Sequence, residues 1–173
     1  VLPEPEAGFL VDGFFGTYGQ QMLKAGPVCW FDLRVINNTP EAIGGSTNGI
    51  EISSPDGAMW TESWPDTNIS LAPFFDLGVY LNQFSNDGQG ADTLGFAGLA
   101  IYEGLPPGTD LEPYSGYFGP VDGGSVGKTI CVDSSWYHPV NPWEWSVQGT
   151  GEPVIPDWSG EQCLEVYAPQ RMI

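Results

Sequence analysis

The chain has 173 residues, the length of one ordinary domain. Its 4 Lys and Arg against 22 Asp and Glu leave a net charge of −18, so no basic patch exists to bind nucleic acid or an anionic membrane surface. Aromatics at 13% and hydrophobics at 41% separate it from disordered acidic chains, and its apolar runs fall far short of the roughly 20 residues that cross a bilayer.

Residues 1–7, Val-Leu-Pro-Glu-Pro-Glu-Ala, read as an extended segment. Residues 8–18 follow as an apolar, Gly-interrupted stretch. Together residues 1–25 form an apolar leader, either a first strand or a donor strand for a neighbouring molecule, ahead of a β-sandwich domain at 26–173. Val28-Cys29-Trp30-Phe31-Asp32-Leu33-Arg34-Val35-Ile36 predicts a buried strand that ends in the turn cluster Asn37-Asn38-Thr39-Pro40. Ile50-Glu51-Ile52 alternates, and Ser54-Pro55-Asp56-Gly57 carries Pro and Gly where a β-turn wants them. Further strands are predicted at 74–84, 93–102, 126–133, 143–147 and 162–167, with residues 103–125 as a long loop rich in Gly, Pro and Tyr. Helical periodicity is absent. About eight or nine short strands between Gly, Pro, Asn and Asp turns predict an all-β fold, an antiparallel two-sheet β-sandwich of immunoglobulin-like or jelly-roll-like type.

Three segments resemble the cohesin-like, immunoglobulin-type modules of large bacterial extracellular proteins. They are Phe31-Asp32-Leu33-Arg34-Val35-Ile36-Asn37-Asn38-Thr39, Gly90-Ala91-Asp92-Thr93-Leu94-Gly95-Phe96-Ala97-Gly98, and Val126-Gly127-Lys128-Thr129-Ile130-Cys131-Val132-Asp133-Ser134-Ser135. The resemblance spans residues 27–167 and implies a two-sheet extracellular module that binds or builds without catalysis. Three cysteines, a Trp-rich late loop and an apolar leader depart from that pattern, so dockerin binding is not expected from it.

The cysteines contain no CxxC, and the chain holds one His, which argues against a zinc site. Cys131 and Cys163 each lie in an apolar alternating stretch and are predicted to pair, closing a loop of about 32 residues. Cys29 is then a buried thiol. Asn86, Asp87 and Asp92 flank a Gly-rich turn that offers hard oxygens to calcium, and the acidic surface fits a saline or calcium-rich setting outside the cell. Gly123-Gly124-Ser125-Val126-Gly127 matches a nucleophile elbow in letters. A strand-like stretch follows it where a helix is required, and His138 is the one available base, so Ser-His catalysis is not expected.

Trp136, Tyr137, Trp143 and Trp145 lie within ten residues and offer two readings: a sugar-stacking platform or core. Asn37 and Asn68 head N-x-[ST] triplets and are candidate glycosylation sites. In the leader, Phe9, Val11, Phe14 and Phe15 are the residues that strand addition to a neighbour would use. The expected function is a non-catalytic extracellular structural or adhesion module. Its partners would be neighbouring surface proteins or copies of itself. A carbohydrate-binding module is the second reading, and a small β-fold glycosidase is the third.

Overall fold

The computed structural model describes residues 6–8, 15–16, 23–67, 75–76, 78–135 and 143–168. They form fourteen strands in two sheets, with one short 3-10 turn at Gly123–Ser125. The first sheet contains β1 (Glu6–Gly8), β2 (Phe15–Gly16), β4 (Cys29–Ile36), β6 (Trp60–Thr67), β9 (Asp110–Val121) and β13 (Asp157–Trp158). Its order is β13-β1-β4-β9-β6, with β2 also on β4. The second sheet contains β3 (Leu23–Lys24), β5 (Ile43–Ser53), β7 (Gly78–Ser85), β8 (Ala91–Leu99), β10 (Thr129–Ser135), β11 (Glu144–Val147), β12 (Pro153–Val154) and β14 (Gln162–Tyr167).

Alternation decides which face of each strand is buried. In β4, Cys29, Phe31, Leu33 and Val35 are buried while Trp30, Asp32, Arg34 and Ile36 keep some exposure. Ile50 and Ile52 of β5, with Leu94 and Phe96 of β8, meet them from the opposite sheet at zero exposure. Trp145, Tyr114, Phe31, Phe96 and Phe118 are the largest fully buried side chains. Aromatic rings thus supply the largest side chains of a core that Leu, Ile and Val complete.

β5 is the hinge of the second sheet. One side pairs with β8 from Gly45↔Leu99 to Ser53↔Ala91. The other side is shared: β11 lies opposite residues 43–47, and β10 lies opposite residues 49–53. β7 continues beyond β8 as the sheet's last strand.

The sandwich matches expectation in class and exceeds it in strand number. The extra elements are of two kinds. β2, β3, β12 and β13 have two residues each, too short to show any period. β6 and β9 are long but disguised. The segment expected to be a loop contains β9, whose 12 residues pair with β4 and β6. Its glycines are packing devices: Gly116 sits opposite Phe31, whose ring occupies the space a Cβ would need. β6 contains Pro65, a residue confined to edges, and β6 is an edge.

The described leader residues pair within their own chain. β1 runs antiparallel to β4 through Glu6↔Ile36, β2 does so through Phe15↔Phe31, and β3 runs parallel to β14. At Phe15 this intramolecular pairing replaces the donor-strand expectation, while Phe9, Val11 and Phe14 lie outside the described residues.

Candidate interaction surface

Because Asn48, Ile50 and Ile52 face the core, Gly45, Thr47 and Gly49 face outward. The register carries that face across the sheet. Tyr80 of β7 lies opposite Ala97 of β8, which lies opposite Thr47 of β5, which lies opposite Glu144 of β11. The small side chains leave a groove of about 340 Å³. Thr47 and Ala97 help form its floor, Tyr80 and Leu99 its apolar flank, and Glu144 and Ser146 its polar flank. A Cβ on Gly45 would lie 2.6 Å from Ser146 Oγ, so a side chain there would have to displace that hydroxyl. Thr47 Oγ1 donates to the Glu144 carbonyl at 2.9 Å and accepts from its N–H at 3.2 Å, which ties β11 to β5.

The groove leads to a bend after β8 that exposes Ile101 by 53% and Tyr102 by 85%. Side chains hold this bend. The two carboxylate oxygens of Asp76 accept the Ile101 N–H at 2.7 Å and the Tyr102 N–H at 3.1 Å. Gln148 Nε2 donates to the Ile101 carbonyl at 2.6 Å, and the Ala100 N–H reaches the Gly44 carbonyl at 2.8 Å. Tyr80 folds over Gly78, the partner of Leu99, with its ring 3.7 Å from the position of a Gly78 Cβ. Tyr80, Leu99, Ile101 and Tyr102 are therefore presented together on a fixed backbone. No spacing rule flags them, because they come from two strands and a bend.

The residues singled out from sequence fall elsewhere. Trp143 and Trp145 share a face, but it is the core face, with exposures of 6% and 0%. Their indole N–H groups donate to the Gly49 carbonyl at 2.7 Å and to Asn48 Oδ1 at 2.8 Å. This corrects the sugar-platform reading for these two: a ring packed on both faces cannot stack on a sugar. Trp136, Tyr137, His138 and Asn68 lie outside the described residues. Asn37 is fully buried, and its amide nitrogen donates to the carbonyls of Glu41 at 2.9 Å and Leu105 at 2.8 Å. The folded protein therefore offers no glycan acceptor there.

Asp92 is buried as well. Its carboxylate accepts from Trp60 Nε1 at 2.7 Å, Ser63 Oγ at 2.8 Å and the Gly88 N–H at 3.1 Å. Asp87 accepts from the Gln89 N–H, and Asn86 donates to Gln83. Of the three candidate calcium ligands, Asp92 is thus turned inward as the anchor of the turn. Ser125 accepts from the Met59 N–H at 2.9 Å and closes the short 3-10 turn, an arrangement that joins two loops. Cys131 and Cys163 are directly opposite in the β10–β14 register and form a disulfide, while Cys29 is buried as a thiol outside it.

A second aromatic group escaped sequence reading. Trp30, Tyr117 and Trp64 are in register across β4, β9 and β6 on the outer face of the first sheet. Trp64 and Tyr117 stack at 5.6 Å with an 11° interplanar angle, so each occupies a face of the other. Burial, then the charges of Asp66 and Asp32, push the Tyr117 phenol above its ordinary range. The rings act as a cross-strand ladder that covers the sheet.

No family model and no curated protein matches the sequence. Solved structures do match it. The sixth cohesin of scaffoldin B from Acetivibrio cellulolyticus, solved in complex with a dockerin, aligns with a TM-score of 0.62 at 11% identity, over 96% of this chain and 100% of that one. A type I cohesin–dockerin complex from Clostridium thermocellum aligns at 0.63 and 11%, over 95% and 99%. The fold is cohesin-like. A non-cellulosomal cohesin from the archaeon Archaeoglobus fulgidus extends the likeness, at a TM-score of 0.53 and 7% identity over 95% and 91%. At such identities the likeness covers the path of the chain and leaves the surface to be read from its own residues.

Proposed function

We propose that this cohesin-like domain is a non-catalytic extracellular docking module that holds a partner protein on the outer face of its second sheet. The patch of Tyr80, Leu99, Ile101 and Tyr102 beside the groove over Thr47 and Ala97 carries this reading. Exposed apolar side chains on a backbone fixed in advance lose little entropy on binding, which is what an interface centre requires. Solved cohesins that share the fold are found in complex with dockerins, which supports a protein as the partner. The disulfide supports an oxidising compartment. The −18 charge opposes association of copies and favours a partner of opposite charge.

The immobilised domain is tested against the extracellular proteins of its source organism, alongside Ile101→Lys and Tyr102→Ala. A partner retained by the native domain and lost in both variants, at unchanged melting temperature, is the expected result. Equal retention by all three would remove the reading. Truncating a central contact should weaken binding by about tenfold or more.

A further inference from the structure

Two sulfurs and a carboxylate converge on the outer face of the second sheet. Ile130 and Val132 turn into the core at zero exposure, so Cys131 between them faces outward. It lies directly opposite Cys163 in the β10–β14 register and is bonded to it. Gly160, at a φ of +99°, bends the chain just before β14. Glu161 follows, two positions before Cys163, so an extended chain sets both side chains on one side. Glu161 Oε1 stands 3.5 Å from Cys163 Sγ. The two sulfurs and a Glu161 carboxylate oxygen all lie within 4.8 Å of one another.

The three side chains differ in access. Cys131 is 4% exposed, while Cys163 and Glu161 are open to solvent. An external thiolate therefore reaches the S–S bond from the Cys163 side. Cutting that bond leaves the β10–β14 ladder, which pairs Thr129 to Val132 with Glu165 to Gln162. Opposite positions on such strands hold their Cβ atoms about 4.5–5.5 Å apart, so both sulfurs stay together as thiols. A tetrahedral zinc ion, with bonds to sulfur of about 2.3 Å, sets its sulfurs roughly 3.8 Å apart. Opposite strands allow that spacing.

We propose that the reduced Cys131–Cys163 pair and Glu161 form a zinc site, so that the link between β10 and β14 has two forms, a disulfide and a metal chelate. A dithiol reductant connects them. One of its thiolates attacks Cys163 Sγ, and Cys131 leaves as a thiolate. Its second thiolate displaces Cys163 from the mixed disulfide. The reductant is oxidised to its own disulfide, the cysteine pair gains two electrons, and zinc takes both sulfurs as thiolates. The two protons of the dithiol pass to solvent. Glu161 supplies the third ligand, and water fills the fourth position on the solvent side. Two thiolates select zinc over calcium or magnesium, and the net charge of −18 concentrates divalent cations at the surface. The site is independent of the docking face proposed above.

The full chain is reduced under nitrogen with a phosphine, freed of it by desalting, and titrated with Co2+ and then Zn2+. Cobalt reports thiolate ligation by its sulfur-to-metal charge-transfer absorption. That absorption should appear in the reduced chain and not in the oxidised one, saturate at one cobalt per chain, and be bleached by zinc. Cys163→Ser should abolish it, and Glu161→Gln should weaken zinc binding by about tenfold or more. Glu165→Gln, which alters a neighbouring carboxylate outside the cluster, and Cys29→Ser should leave it unchanged. Zinc at about 100 times its Kd should raise the melting temperature of the reduced chain by about 5 °C or more and leave the oxidised chain unmoved. Absence of the cobalt absorption, equal binding by Cys163→Ser or by the exposed-site variant Glu161→Gln, or a reduced chain whose melting zinc does not move would overturn the proposal.

Discussion

The buried Asp92 carboxylate ties the turn before β8 to β6. It follows a Gly-rich turn with Asp87, a pattern that suggests calcium, but its carboxylate receives the Trp60 indole, the Ser63 hydroxyl and the Gly88 amide. All three are donors. Asp92→Asn would set an amide N–H against one of them and leave buried groups unpaired, so urea unfolding should show a loss of about 2–3 kcal/mol. A loss below ~0.5 kcal/mol would contradict the role. With Asp92 committed, calcium is expected to move the melting temperature by less than about 1 °C. A larger rise that Asp87→Ala removes would return the metal to the turn. Asp110 behaves differently: the Arg34 guanidinium bonds it at 2.7 and 2.8 Å and holds its carboxyl below the usual range. A lowered folded-state pKa gives stability that is present above the unfolded value near pH 4 and is lost as pH falls through the folded value. Asp110→Asn should flatten the stability profile below about pH 4. The pair is exposed, so the effect should stay under about 1 kcal/mol.

Among elements, the clearest link is between β10 and β14. The disulfide joins Cys131 and Cys163 across a sequence separation of 32, and closing a loop of that length stabilises by about 3–4 kcal/mol in the chain-entropy model. Replacing both cysteines by alanine should lower denaturant stability by that order, and an unchanged midpoint would show that the ladder alone holds the two strands. β9 offers a second test. Gly116→Ala would drive a methyl into the Phe31 ring, so a loss of about 1–3 kcal/mol is expected from thermal unfolding. The same contact explains what sequence could not reveal. β4 was legible because Cys29, Phe31, Leu33 and Val35 alternate with partly exposed residues. β9 was not, because Gly116 serves a neighbour's ring and reads in isolation as a turn residue. Trp143 and Trp145 were legible as sharing a face, but period alone does not say which face is buried. The docking patch was illegible for a third reason: Tyr80 and Leu99 are 19 positions apart in sequence and meet only through the β7–β8 register.

For the whole molecule, charge and shape act together. A shell of −18 keeps copies apart, so raising salt to about 1 M, where the screening length falls to roughly 3 Å, should promote self-association. Of the large apolar side chains it exposes, Tyr80 and Leu99 flank the groove on the second sheet, and Ile101 and Tyr102 stand in the bend after β8. The first sheet carries instead a ladder of rings already stacked on one another. Hydrogen–deuterium exchange of the domain with its captured partner decides between these faces. Slowed exchange across residues 45–49, 97–102 and 144–146 is the expected result. Protection confined to the strands around Trp30, Trp64 and Tyr117 would contradict it.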